Sequence, residues 1–121
     1  MMKRIKSTNS ELRNVIRLLS KKSIEAESGI WRSVAKRLST SRRRRIAVNL
    51  SRLNRSTEAK ETVIVPGKVL GAGRLDHPIS IAAFSFSEHA RAKILKAKGK
   101  CLSLQELVKK NPKGSNVKIM G

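Results

Sequence analysis

The sequence predicts an α/β fold in which two N-terminal helices precede short strands interleaved with short helices. Helical periodicity comes first: Leu12, Val15, Ile16 and Leu19 recur at the spacing of one helix face. Later segments are short and β-branched, such as residues 62–65, which Pro66-Gly67 follows. Because these segments are short, we expect an irregular sheet rather than a full doubly wound one.

Residues 9–40 should form a helical hairpin. A basic tail at residues 1–8 precedes it, and we expect this tail to be flexible in isolation. Thr8 and Glu11 have capping-box spacing, so a first helix is predicted to begin there and to end near residue 24. Ser28 is a candidate cap for the second helix. The apolar stripe of this second helix comprises Ile30, Trp31, Val34, Ala35 and Leu38.

Residues 41–121 are predicted to form the α/β body of a single domain that spans residues 1–121. The predicted strands cover residues 46–50, 62–65, 79–86 and 117–120. The predicted helical segments are a turn at residues 49–55, a helix that Ser87 caps, and a helix that begins with the Ser103/Glu106 capping box. Pro66-Gly67 should end the second strand in a turn, and residues 68–74 should form a glycine-containing loop.

Positive charge dominates the composition, with 28 Lys and Arg against 8 Asp and Glu and a net charge of +20. So much like charge in one small domain repels itself, and a bound polyanion relieves the repulsion. Solubility alone needs a net charge of only about 2–8. A nucleic acid is therefore the favoured partner, and an anionic membrane is the weaker alternative.

The chain has no apolar run of 18 residues, so no transmembrane helix is expected. Cys101 is the only cysteine, which excludes an intrachain disulfide and fits a reducing, cytoplasmic location. No grouping of His, Cys, Asp or Glu has metal-ligand spacing, and neither His77 nor His89 has a convincing catalytic partner. We therefore expect no catalytic residue, no metal and no cofactor.

The run Arg42–Arg45 is the sharpest electrostatic feature of the sequence. In extended or irregular backbone these side chains would alternate in direction, so they could bind phosphates on two sides of a groove. Arginine suits this role because its planar guanidinium pairs bidentately with phosphate. The alternative is a solvated charged loop or a localisation signal.

Two further segments are candidate RNA contacts. Residues 65–73 are rich in glycine and flanked by Lys68 and Arg74, but they match neither a P-loop nor a dinucleotide fingerprint. Ordinary turns and an RNA-facing loop both remain compatible with that segment. The second is a polar turn at residues 111–116, which Lys113 makes basic.

The aromatic residues argue against single-strand recognition by base stacking. Trp31 lies on an apolar helical stripe and Phe84 within an apolar strand, so both are predicted to be core residues. The sequence thus favours recognition of folded RNA through its backbone and shape.

Four stretches carry a family resemblance: residues 29–35 followed by Leu38, residues 48–55, residues 62–71 with Gly73, and residues 82–87 with the later residues 111–114. Together they resemble the family of large-subunit ribosomal protein L eighteen-e in its archaeal form, within the superfamily that includes bacterial L fifteen. The resemblance implies a structural component of the large ribosomal subunit that binds large-subunit ribosomal RNA and has no catalytic role. It also implies an irregular superhelix of strand-strand-helix units preceded by helices.

The expected partners are ribosomal RNA and neighbouring large-subunit proteins, with no membrane and no small-molecule substrate. A DNA regulator that reads bases with Arg32, Ser33, Lys36 and Arg37, and an RNA-processing enzyme, are the rival hypotheses. The predicted RNA-binding residues are Lys3, Arg4, Lys6, Arg42, Arg43, Arg44, Arg45, Asn49, Arg52, Arg55, Lys68, Arg74 and Lys113.

Overall fold

The computed structural model describes residues 2–27, 29–39, 46–114 and 116–120, with side chains from residue 11 onward. Two helices come first and are followed by interleaved strands and helices, which confirms the predicted α/β class. The elements are α1 (Met2–Glu25), α2 (Gly29–Leu38), β1 (Ile46–Asn49), α3 (Leu50–Ser56), β2 (Thr62–Leu70), β3 (Ser80–Phe86), α4 (Glu88–Lys96), β4 (Lys100–Ser103), α5 (Leu104–Lys110) and β5 (Val117–Ile119).

The five strands form one sheet in the order β1-β2-β3-β4, with β5 also paired to β2. Every strand pairing in the described residues is parallel. The strands therefore begin and end at common edges. We call the edge where β2, β3, β4 and β5 begin the amino edge, and the edge where β1, β2 and β3 end the carboxyl edge.

Strand β2 continues through Pro66-Gly67, so the predicted turn at this dipeptide is wrong. One side of β2 pairs with β5 at residues 62–64 and with β1 from Gly67 onward, while its register with β3 shifts between Val65 and Lys68. Pro66 lies at the point where these pairings change. Proline has no backbone N–H group, and at this point no neighbouring strand needs one for a hydrogen bond. At Gly67 a Cβ atom would collide with the carbonyl oxygen of Ile46, so glycine permits the close approach of β1.

The sheet has an apolar core on each face because alternate residues of β2 and β3 point to opposite sides. Val63, Val65 and Val69 belong to the core beneath α3 and α4, which contribute Leu53 and Ile94. The opposite core contains residues of α1, α2 and α5. Its main members include Leu19, Trp31, Val34, Ile64, Ala82 and Leu104.

The N-terminal hairpin is confirmed, but α1 begins at Met2 rather than near Thr8. Residues 2–8 contain no proline or glycine and several good helix formers, so nothing in them interrupts the helix. In α2 the predicted stripe is confirmed, since Trp31, Val34, Ala35 and Leu38 are buried. The expected cap of α2, Ser28, lies outside the described residues.

The two serine caps of the body are confirmed. The Ser87 hydroxyl accepts a hydrogen bond from the Ala90 amide, and Ser103 and Glu106 form the reciprocal capping box of α5. Between them lies β4, a four-residue strand that the sequence pattern did not predict.

Candidate nucleic-acid interface

The glycine loop at residues 71–73 is fixed at the carboxyl edge by the start of α3. The Ala72 amide donates to Asn49 Oδ1 at 3.3 Å, and the Ser51 amide donates to the Ala72 carbonyl oxygen at 3.1 Å. Gly73 has a φ of 87°, and a Cβ atom there would collide with the Ser51 side chain. The loop therefore lies directly against the first turn of α3.

Helix α4 holds the same loop from the other side through Lys93. Its Nζ atom donates to the carbonyl oxygens of Gly71 and Gly73, at 2.7 Å each. A Cβ atom at Gly71 would lie 2.7 Å from His89 Cβ, so loop and helix are in close contact. This role of Lys93 was not predicted from the sequence. Two acceptors that lie 20 and 22 residues away leave no local pattern that could have revealed it.

A polar network places Arg74 beside the end of α3. Arg74 Nε donates to Asp76 Oδ1 at 2.9 Å, Asn54 Nδ2 donates to Asp76 Oδ2 at 3.2 Å, and the Asp76 amide donates to Asn54 Oδ1 at 2.9 Å. The hydrogen bond from Asn54, followed by that from Arg74, lowers the pKa of the Asp76 carboxyl. Arg74 nonetheless remains 83% exposed.

Helix α3 presents Arg52 and Arg55 on its exposed face, while Leu50 and Leu53 are buried beneath it. Residues three apart are neighbours on a helix surface, so the two guanidinium groups face the same side. The start of α3 contacts the glycine loop, and Asn54 near the end of α3 contacts Asp76. The structure therefore brings four predicted residues together. We call Asn49, Arg52, Arg55 and Arg74 the carboxyl-edge cluster.

Two other predicted residues lie elsewhere. Lys68 is exposed on β2 and lines a cavity of about 470 Å³ together with Glu11 and Phe84, on the face of the sheet that α1 covers. Lys113 lies in the turn between α5 and β5, near the amino edge.

The remaining predicted RNA-binding residues belong to α1 and to the sequence between α2 and β1. Lys3, Arg4 and Lys6 lie in α1, but their side chains are outside the described part of the chain. The run Arg42–Arg45 also lies outside the described residues.

The histidine and aromatic side chains serve packing and hydrogen bonding. His77 Nε2 lies 2.8 Å from the hydroxyl of Thr57, a buried residue whose hydroxyl also donates to the Leu53 carbonyl oxygen. Trp31 is fully buried, which confirms its predicted place in the core, whereas Phe84 is only partly buried and packs against the outside of that core. Among the described residues there is neither a cluster of three potential metal ligands nor a helix able to cross a membrane.

The fold and these side chains define a strongly basic α/β protein whose described polar groups stabilise loops and helix ends. The chain belongs to a ribosomal protein family: the family described as ribosomal protein 60S L18 and 50S L18e matches it over residues 1–121. The family resemblance in the sequence is thereby confirmed.

Curated relatives of similar length agree with this assignment. The chain is 50% identical over 120 residues to the large ribosomal subunit protein eL18 of Methanoregula boonei, and 48% identical over 120 residues to that of Methanothermobacter thermautotrophicus. Each alignment covers 99% of both chains. The eL18 protein of Methanococcus maripaludis is 44% identical over 119 residues, 98% of this chain and 99% of that one.

Membership of this family makes the protein a structural component of the large ribosomal subunit, within the cytoplasmic ribosome, and not an enzyme. It excludes the two rival hypotheses, a DNA regulator and an RNA-processing enzyme.

Proposed function

We propose that the chain binds and stabilises large-subunit ribosomal RNA through its exposed cationic side chains. The observation that carries this proposal is the excess of charge: 28 cationic residues stand against 8 carboxylates, which leaves +20. Even if each carboxylate neutralised one cation, twenty would remain without a counter-charge inside the protein. RNA phosphates supply that counter-charge, and the release of their condensed ions favours binding.

The carboxyl-edge cluster is the best-positioned contact for RNA phosphates. Hydrogen bonds with Asn49 and Lys93 fix the loop, and hydrogen bonds with Asn54 fix Asp76 beside it, before RNA arrives. A fixed loop loses little conformational freedom on binding, so more of the interaction energy appears as affinity. The guanidinium groups of Arg52, Arg55 and Arg74 supply planar donors that match phosphate geometry.

The other predicted residues extend this proposal to several parts of the molecule. Lys68 and Lys113 lie away from the cluster, so the protein would contact more than one RNA segment, with neighbouring large-subunit proteins as further partners. We also propose that residues 1–121 form one domain. The RNA-binding residues proposed outside the cluster are Lys3, Arg4, Lys6, Arg42, Arg43, Arg44, Arg45, Lys68 and Lys113.

The test removes two charges from the cluster in the double variant Arg52→Gln/Arg55→Gln. The affinity for large-subunit ribosomal RNA is measured at several salt concentrations, and the slope of log K against log salt is compared with that of the wild type. Each lost duplex phosphate contact should reduce the steepness of this slope by about 0.9, so we expect a reduction of about 1.8.

A matched control removes the same charge from another helix. Lys21 and Lys22 both lie within 4.0 Å of Glu25 in α1, so one carboxylate offsets half of their combined charge. Lys21→Gln/Lys22→Gln should leave the slope almost unchanged. If both double variants alter binding equally, the carboxyl-edge cluster is no specific contact and only the total charge matters.

A further inference from the structure

Three lysines from two segments of the chain meet at the amino edge of the sheet, and none of the three is among the predicted RNA-binding residues. Lys60, Lys98 and Lys100 are exposed and line one hollow of about 200 Å³. Backbone hydrogen bonds hold both segments to residues 78–79: the Lys60 amide donates to the Pro78 carbonyl at 2.7 Å, and the Lys100 amide donates to the Ile79 carbonyl at 3.0 Å. The lysines are thus brought together by the fold itself and do not depend on flexible loops.

Two of these lysines occupy backbone conformations in which glycine is favoured. Lys98 has a φ of 66° directly after α4, where its amide donates to the Leu95 carbonyl and the Gly99 amide donates to the Ile94 carbonyl. This is the Schellman arrangement, whose left-handed residue is usually glycine. The chain therefore places a charged side chain at a position where a glycine would be less strained.

Lys60 repeats this feature on the other side of the hollow. It has a φ of 70° and is the third residue of the turn that the Glu61 amide closes on the Glu58 carbonyl oxygen at 3.3 Å. A positive φ at this position of a turn also favours glycine. Two strained lysines consequently border the same small hollow.

Glu61, which follows Lys60 in the sequence, forms its ion pair with Lys118 and not with these lysines. Both oxygens of Glu61 are engaged, one by the Glu58 amide and the other by Lys118 Nζ at 3.0 Å. These two partners, the Glu58 amide foremost, lower the pKa of the Glu61 carboxyl. Within the described side chains, no ion pair involves Lys60, Lys98 or Lys100.

We propose that this hollow is a phosphate-binding site for the RNA backbone, an inference that rests on the proposed function. Three ammonium groups are compact point charges that suit a phosphate, and the Ser80 residue that also lines the hollow carries a hydroxyl donor. The hollow is smaller than the pockets of about 300–1,000 Å³ that hold drug-sized ligands. RNA would therefore contact the protein at both edges of the sheet.

The deciding variant is Lys60→Gly/Lys98→Gly, because a binding role and a structural role predict different outcomes. Glycine relieves the positive φ at both positions, so the melting temperature should rise. The affinity for large-subunit ribosomal RNA should nevertheless fall, and its salt slope should become less steep by about 1.8 for two lost duplex phosphates. The charge-preserving variant Lys60→Arg/Lys98→Arg should retain the wild-type slope.

The alternative outcomes separate this site from the proposed function. One outcome overturns the amino-edge site alone. In that outcome the glycine variant is stabilised and its RNA binding keeps the wild-type salt slope, whereas Arg52→Gln/Arg55→Gln makes the salt slope less steep. If the wild type itself does not bind the RNA, the proposed function fails with it. Unchanged RNA binding combined with poorer incorporation into subunits would indicate an acidic protein partner and would also overturn the phosphate assignment.

Discussion

Single contacts determine how the glycine loop is presented. The Lys93 ammonium group donates to two loop carbonyls, while Asn49 accepts from the loop amide between them. Bonds to a charged donor are stronger than neutral ones, so Lys93 fixes the loop even though its side chain is exposed. A lysine that resembles a solvated surface residue in the sequence therefore positions the neighbouring Arg74.

A methyl group at the loop tests this close packing. Gly71→Ala would place a Cβ atom 2.7 Å from His89 Cβ and 2.9 Å from the Ala90 amide nitrogen, so the loop or α4 must shift. We expect a loss of about 1–3 kcal/mol in the free energy of unfolding, measured by chemical denaturation.

Gly29→Ala is the matched control because a Cβ atom there meets nothing within 4 Å. At the start of α2 alanine should leave stability unchanged or raise it by up to about 1 kcal/mol. Equal losses in both variants would show that the contact between the loop and α4 is unimportant for stability.

At the scale of the elements, local signals predicted the starts of α4 and α5 correctly, whereas they failed for the start of α1 and for the strands β2 and β4. Ser87 and the Ser103/Glu106 pair were readable because a cap and its partner lie within three residues. Strand β2 passes through Pro66 because its neighbours change there, which depends on β1 and β5. Strand β4 was missed because its four residues become a strand only by pairing with β3.

The capping box of α5 gives a pH-dependent contribution to stability. The hydrogen bond from the Ser103 amide to Glu106 Oε1, at 3.2 Å, is the main reason that the pKa of the Glu106 carboxyl is lowered from its ordinary value of 4.5. A carboxyl whose pKa is lower in the folded protein stabilises the fold above its unfolded-state pKa. That stabilisation is lost as the pH falls through the lowered value.

We therefore expect Glu106→Ala to be less stable than the wild type at neutral pH, with the difference shrinking as the pH falls below 4.5. Melting temperatures of both proteins across this range measure the effect. The other carboxyls are common to both proteins, so their titration largely cancels in the comparison. A difference that stays constant down to strongly acidic pH would contradict a charged capping interaction.

For the whole molecule, the parallel sheet separates the proposed contacts onto two edges and two faces. The sequence predicted the cationic excess and the residues Arg52, Arg55 and Arg74, since charge and helical spacing are visible along the chain. It did not predict that Lys60, Lys98 and Lys100 meet, because their segments are joined only by backbone pairing at the start of β2, β3 and β4. The charge of each side chain could thus be read from the sequence, whereas the fold was needed to show which charged side chains lie close together.

The central claim is that the net charge of +20 serves to neutralise the RNA backbone, and the salt dependence of wild-type binding tests it most directly. Affinity for large-subunit ribosomal RNA should fall linearly on a log–log plot, by about a thousandfold or more between roughly 50 and 200 mM salt if six or more phosphates are contacted. An affinity that barely changes over that range, or no binding at physiological ionic strength, would contradict the account.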